Sequence, residues 1–204
     1  LNGEFHLLNS LFTKTNKQIQ VFDFNVFAVN NDYTNQLKVR SELLDADITG
    51  KYKLSVLRNE LLHFLYSYIP ALATVEDANF TGYSAEMDID VRFKRTQPFF
   101  DFFVPDYFVS ENSVLHCNFY PGRDNFMNLT CIAPEVKVKS NHLEGLILDI
   151  NSTDSVLLAS IGSRKFYLSE SASLDNFTFE TKTTSNKTRF KTRWINWDSA
   201  LYKG

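Results

Sequence analysis

The sequence predicts an α+β fold: a single antiparallel, β-rich domain with one prominent amphipathic helix, residues 52–68, packed on the sheet. Apolar residues recur at helical spacing over residues 52–68, whereas most of the chain after Pro70 alternates between apolar and polar side chains. Gly and Pro are scarce, at 7 and 5 of 204 residues. We therefore expect one compact domain, 1–204, with a helix-containing part at 1–72 and a β-meander at 73–204.

The first fifty residues predict a short helix and then strands. Residues 4–14 place Phe5, Leu8, Leu11 and Phe12 at helical spacing, which predicts a short amphipathic helix. Residues 18–29 change to a period of two and predict a strand with both faces apolar. A weaker strand is expected at 36–43, and Gly50 ends this unit.

The helix at 52–68 is the clearest element of the sequence. It ends before Pro70, which cannot continue a helix. Its apolar stripe consists of Leu54, Leu57, Leu61, Phe64, Leu65 and Tyr68.

The remainder of the chain predicts strands. Residues 84–94 alternate strictly, and a hairpin at 113–133 follows. Short strands are expected near 135–139, 145–150, 155–161 and 165–170. A last hairpin pairs 176–183 with 187–195, and its inner face carries Phe177, Phe179 and Thr181 against Thr188, Phe190 and Thr192.

The two cysteines of the chain, Cys117 and Cys131, lie symmetrically about the turn of the predicted hairpin. If they pair directly across it, Phe119 faces Leu129 and the alternation holds on both strands. This register predicts a cross-strand disulfide and hence maturation in an oxidising compartment.

Candidate N-glycosylation sequons support the same compartment. They begin at Asn79, Asn128, Asn151, Asn176 and Asn186. No apolar stretch is long enough to span a bilayer, and no signal-peptide pattern is present, so we expect any signal peptide to have been removed. The sequence thus predicts an extracellular protein, either secreted or the ectodomain of an anchored one.

Composition excludes two broad classes. Hydrophobic residues make up 44% and aromatic residues 15% of the chain, which excludes intrinsic disorder. A net charge of −3 gives no nucleic-acid signature. The 19 Phe indicate a bulky aromatic core or a large contact surface.

No catalytic, cofactor or metal site is predicted. Asn59, Glu60 and His63 resemble the zinc-binding H-E-x-x-H pattern, but Asn stands where the first His ligand is required. A simple pair on the helix surface is the alternative. The chain lacks a nucleophile elbow and a phosphate-binding glycine loop. A dispersed active site remains open as a hypothesis.

Two charged stripes alternate with uncharged residues. Glu86, Asp88 and Asp90 share one strand face, either as a hard-cation site or as a solvated acidic face. The second stripe is a polyanion-binding candidate and consists of Lys187, Arg189, Lys191 and Arg193. It could instead protect an edge strand, or pair with the acidic stripe on a neighbouring strand.

The segment 98–109 is the best candidate for a binding surface. Pro98 and Pro105 argue against a central strand and favour a short helix starting at Pro98, followed by a loop. Adjacent aromatic rings cannot all face one core, so some should be available to a partner. The candidate binding residues are Phe99, Phe100, Phe102, Phe103, Tyr107 and Phe108. The alternative is a segment that plugs the core.

Three functions are compatible with these features. The first is a secreted or surface-displayed glycoprotein domain that recognises a protein or glycan partner. The second is a secreted or lumenal hydrolase with a dispersed active site. The third is a carrier of an apolar ligand, which we expect to contain a closed apolar cavity. The sequence does not indicate the oligomeric state.

Overall fold

Antiparallel pairing of sequential strands dominates this protein. The computed structural model describes residues 2–31, 33–72, 82, 85–123, 125–169, 171–195 and 201–204. Within these residues, 13 strands form one sheet in which nearly every strand pairs with its neighbour in sequence. The predicted β-rich, antiparallel class is therefore confirmed.

The sheet contains strands from both predicted parts of the chain. Its first five strands are β1 (Gly3–Lys14), β2 (Lys17–Asn30), β3 (Asn35–Ser41), β4 (Leu44–Lys51) and β5 (Glu86–Phe93). The next four are β6 (Tyr107–Val109), β7 (Val114–Tyr120), β8 (Phe126–Val138) and β9 (Asn141–Thr153). The last four are β10 (Val156–Ser169), β11 (Ala172–Thr184), β12 (Lys187–Ile195) and β13 (Leu201–Lys203). Because β4 pairs directly with β5, the boundary near residue 72 does not divide the sheet.

The predicted N-terminal helix is wrong, because residues 4–14 form β1. β1 is an edge strand that pairs only with β2 in the described part of the chain. An edge strand buries little of either face, so its sequence need not alternate. Phe5, Leu8, Leu11 and Phe12 are accordingly exposed.

Within the described part of the chain, two α-helices accompany the sheet: α1 (Leu54–Tyr68) and α2 (Gln97–Phe103). A single 3-10 turn, Pro70–Leu72, follows α1. The stripe predicted for α1 is only partly correct. Phe64 and Tyr68 are buried, but Leu54 and Leu61 are exposed, and Glu60 is buried instead. Among the described residues, neither helix combines the length and apolarity needed to cross a lipid bilayer.

Helix α1 lies across one end of the strands. Phe64 packs edge-on against Phe119 of β7, with ring centroids 5.4 Å apart. The Tyr68 hydroxyl donates to the carbonyls of Asn125 and Thr153 at 3.0 and 2.6 Å. At 1.5 Å per residue, the 15 residues of α1 span about 22 Å, the width of about five strands. The main hydrophobic cluster therefore lies between α1 and this end of the sheet.

Helix α2 and β6 lie beside the far ends of β2 and β8. Phe102 packs on Ile19 and Val21 of β2, while β6 pairs with β8 beyond the part of β8 that pairs with β7. The predicted short helix at Pro98 is thus confirmed. It packs on β2, and the strand that follows it, β6, pairs with β8.

Candidate functional site

One face of the sheet is apolar across most of its width; we call it the apolar face. Residues paired across antiparallel strands share a face, so the pairing traces rows across the sheet. One row runs through ten strands, β1 to β5 and β7 to β11, and we call it the central row. Its members are Phe5, Val26, Val39, Ala46, Val91, Leu115, Cys131, Leu148, Ile161 and Phe179.

The central row is only half-buried. Ala46 is buried and Phe5 is exposed at the β1 edge, and the other members are intermediate. Leu115 is the one member that packs against the hydrophobic cluster of α1, and none belongs to the smaller cluster around Phe102. The neighbouring row, which contains Ile48, Ile89 and Leu129, lies partly against α1. Apolar surface therefore continues beyond the area covered by the helices.

A cavity of about 400 Å³ adjoins the apolar face beside the start of α1. Ala28 and Leu37, which pair across β2 and β3, lie on one side of it. Tyr52 and Leu54 lie on the other side. Burial raises the pKa of the Tyr52 hydroxyl, as expected for a phenol in apolar surroundings. The lining also includes Asn30, Asn35, Gln36 and Lys53, so this partly enclosed extension of the apolar face is mixed in polarity.

The opposite face, which we call the polar face, carries paired charges. Arg40 donates to both carboxylate oxygens of Asp47 at 2.8 Å, and Lys94 lies 2.7 Å from Asp45. Exposed aliphatic side chains are also present at Val114, Ile132 and Ile147, which are directly paired across β7, β8 and β9. The two faces thus differ in charge along the central row. Two rows beyond it, the paired residues Glu135, Glu144 and Lys165 bring charge to the same face as Cys131 and Leu148.

The predicted disulfide is wrong in this structure, where both thiols are free. Cys117 lies opposite Leu129, and Cys131 lies opposite Leu115, so the register differs by two residues from the predicted one. A shift of two residues keeps every side chain on its face, and alternation alone cannot detect it. Burial raises the pKa of Cys117 to about 11 and also raises that of Cys131.

The aromatic segment divides into buried and exposed rings. Phe102 is 6% exposed, whereas Phe103 is 46% exposed. Phe99 and Tyr107 are also exposed, and Phe100 and Phe108 are half-buried and lie edge to face. The structure therefore contains both a core anchor and exposed rings within one segment.

The acidic stripe lies on the polar face of β5. Asp90 is 2.6 Å from Nδ1 of His116, and the Asn118 side chain donates to Asp88 at 2.5 Å. The Tyr120 hydroxyl also donates to Asp88, and this bond raises the pKa of Tyr120 to about 12. Asp88 and Asp90 therefore both have hydrogen-bonding partners on β7.

The basic stripe occupies the polar face of β12, near the opposite edge of the sheet from β1. Five strands separate β12 from β5 in the sheet order, so the two stripes do not pair. Within the described residues, β13 pairs only with Arg193–Ile195, and Lys187–Lys191 form an open edge. Arg193 lies 2.5 Å from Glu180.

The sequons differ in accessibility. Asn79 lies outside the described residues. Asn151, Asn176 and Asn186 are exposed, whereas Asn128 is half-buried and lies directly opposite Asn151. Asn186 occupies the predicted turn before β12 with a left-handed φ of 62°.

The zinc-like segment of α1 has a structural role. Glu60 is 2% exposed and accepts a hydrogen bond from the backbone N–H of Ala85 at 2.8 Å. The His63 ring lies edge to face with Tyr66. Glu60 therefore faces the interior, which the hypothesis of a surface pair did not anticipate. Within the described ranges, no group of three or more potential metal-ligating side chains is assembled.

The central row was missed by sequence reasoning. Each strand showed its alternation, but the row exists only when the registers of ten strands are known. β4 was missed altogether, although Asp45 and Asp47 alternate with Ala46 and Ile48. That alternation was the available signal.

Comparison with known proteins gave no relative. Searches against protein-family models, curated proteins and solved structures found no match to this chain.

Proposed function

We propose that this protein carries an apolar ligand, and that the hydrocarbon chain of an amphiphile lies along the apolar face. The central row supports this proposal, because it combines apolar composition, continuity across ten strands and incomplete burial. The surface is an open face with an adjoining cavity of about 400 Å³ and differs from the closed cavity expected from sequence.

A hydrocarbon chain suits this surface chemically. The central row offers no charge and no amide or hydroxyl side chain, so a ligand that needs hydrogen bonds would lose them here. A hydrocarbon requires none, and each CH₂ group that it buries contributes about 0.8 kcal/mol. A polar headgroup would remain at the rim of the face, in water.

A second copy of the chain is the competing occupant of the apolar face. Two sheets can pack face to face at a spacing of about 10 Å. Such a dimer would cover the same row without any ligand. The mass of the protein in solution, measured with and without ligand, separates the two cases.

Palmitate displacement of N-phenyl-1-naphthylamine tests the proposal. Leu148→Asp places a charge in the central row, and we expect it to weaken palmitate binding at least about tenfold, because the charge must be desolvated or the chain displaced. Ile147→Asp is the matched control, since Ile147 is the adjacent residue on the polar face. It should bind as the wild type does.

Three results would reject the proposal. The first is that the wild type does not bind palmitate. The second is that Leu148→Asp and Ile147→Asp lose palmitate affinity equally. The third is that the protein forms a stable dimer that excludes the probe. The melting temperature of each variant verifies that the measured protein is folded.

The aromatic segment supports a second candidate, recognition of a protein or glycan partner. Exposed Phe99, Phe103 and Tyr107 lie around the buried anchor Phe102. Rings held in this way resemble the anchors of protein interfaces. An extracellular location is also a proposal, and it now depends on the exposed sequons rather than on a disulfide.

A further inference from the structure

The polar face carries a concentrated basic patch at the β12 edge, larger than the stripe visible in sequence. Strand pairing adds two cations to the stripe. Lys182 of β11 lies directly opposite Arg189, and Lys203 of β13 lies directly opposite Arg193. The edge patch therefore consists of Lys182, Lys187, Arg189, Lys191, Arg193 and Lys203.

Glu180 lies directly opposite Lys191 within the edge patch, and most of the patch's other charge forms no ion pair among the described residues. Within the described residues, Arg193 is the one member of the edge patch that forms an ion pair, with Glu180. The other members are exposed. Like charges held side by side repel each other, so their placement opposes stability unless an anion binds them. The edge patch is therefore a candidate anion-binding surface.

Large apolar side chains share this edge. Phe190, between Arg189 and Lys191, is 68% exposed and projects from the apolar face. Leu201 and Tyr202 of β13 are also exposed. Protection of an edge by charge does not account for an exposed phenylalanine, because an exposed apolar edge promotes aggregation. Phe190 and Tyr202 project from the apolar face, whereas the cations and Leu201 project from the polar face. An edge that combines cations with exposed apolar side chains resembles segments that bind membrane interfaces.

We infer that the edge formed by β11, β12 and β13 docks on an anionic lipid membrane. The edge patch contacts the headgroups, and Phe190 and Leu201 enter the interface beside them. The unpaired backbone groups of β12 keep the strand at headgroup depth, where water is present to bond them. A sulfated glycan would match the charge but would leave the apolar side chains without a role. This inference does not require the apolar face to carry a ligand.

Vesicle co-sedimentation tests the inference, with phosphatidylcholine vesicles that contain or lack phosphatidylglycerol. The wild type should sediment with the anionic vesicles only, and less as salt rises. In the double variant Lys182→Gln/Arg189→Gln, the partition coefficient should fall about 25-fold, because the loss of each cation should lower it about fivefold. The control Lys137→Gln/Arg164→Gln removes two exposed cations elsewhere, each of which pairs with a glutamate. It should partition as the wild type does.

Phe190→Ser distinguishes a membrane from a soluble polyanion. It should weaken vesicle binding and leave retention on heparin unchanged. Three results would overturn the inference: no sedimentation of the wild type with anionic vesicles, equal losses in both double variants, or unchanged vesicle binding by Phe190→Ser. The last result, together with retention on heparin, would assign the edge patch to a polyanion instead.

Discussion

Cys131 of β8 lies directly opposite Leu148 of β9 on the apolar face, and neither residue belongs to the hydrophobic cluster that α1 forms. Both are only half-buried. Apolar residues on a protein surface are normally scattered one by one, whereas Cys131 and Leu148 belong to a continuous apolar row across ten strands. The incomplete cover of this row is the main evidence for a ligand-binding face.

The first prediction concerns the cysteines. Non-reducing peptide mapping should find Cys117 and Cys131 as free thiols, because they are not opposite each other. Alkylation of the native protein near neutral pH should be slow at both and slower at Cys117, whose pKa is raised to about 11 by burial. Recovery of a Cys117–Cys131 peptide from the native protein would show that the hairpin has the other register.

The aromatic segment gives a prediction that separates two adjacent rings. Phe102→Ala should destabilise the protein by about 3–4 kcal/mol, because Phe102 is buried against Ile19 and Val21. Phe103→Ala should cost less than about 1 kcal/mol, because that ring is nearly half exposed. Urea denaturation of both variants measures the difference. Equal losses would mean that the whole segment is core.

Glu60 gives a prediction about the attachment of α1. Its carboxylate is buried and bonds the backbone N–H of Ala85, so Glu60→Ala leaves a buried donor without this partner. We expect a loss of about 1–3 kcal/mol in the free energy of unfolding. The exposed neighbour Asn59 is the control, and Asn59→Ala should change stability by less than about 0.5 kcal/mol. A neutral Glu60→Ala would show that the helix does not depend on this bond.

The pH dependence of stability should include a contribution from Glu144. The Tyr167 hydroxyl donates to Glu144 at 2.8 Å, and Arg164 lies 3.0 Å from it, and these contacts lower the pKa of the Glu144 carboxyl from its ordinary value. A carboxyl whose pKa is lower in the folded state stabilises the fold at every pH above its unfolded-state pKa. This stability is lost as the pH falls through its folded-state pKa. Glu144→Gln should cost about 1 kcal/mol at neutral pH and progressively less below about pH 4. An equal cost at every pH would exclude the charged bond as its cause.

The sequence predicted strand faces better than strand pairing. The last hairpin has the predicted residues on one face, since Phe179 lies opposite Thr192 and Thr181 opposite Phe190. That face is not internal at β12, where Thr188 and Phe190 are exposed. The hairpin of Cys117 and Cys131 kept its faces but shifted by two residues. Alternation specifies only which face a residue occupies, whereas turn geometry and cross-strand packing specify its partner.

The structure of the N-terminal segment and the position of the binding surface were not predicted from the sequence, for different reasons. The apolar residues of β1 happen to have helical spacing, because an exposed edge strand does not need the alternation that burial requires. They are Phe5, Leu8, Leu11 and Phe12. Asn9, within β1, also has a left-handed φ of 45°, which marks a local irregularity. The central row could not be predicted because it depends on many non-local registers at once.

Protection of the Cys131 thiol tests the central claim most directly. The rate of its alkylation by N-ethylmaleimide is followed by peptide mass spectrometry, with and without palmitate. If the ligand lies on the central row, palmitate at about 100 times its Kd leaves about 1% of the sites empty and should slow alkylation by up to about a hundredfold. The thiol of Ile147→Cys, on the polar face, should react at the same rate in both conditions. An unchanged rate at Cys131, or equal slowing at both positions, would contradict a ligand on the apolar face.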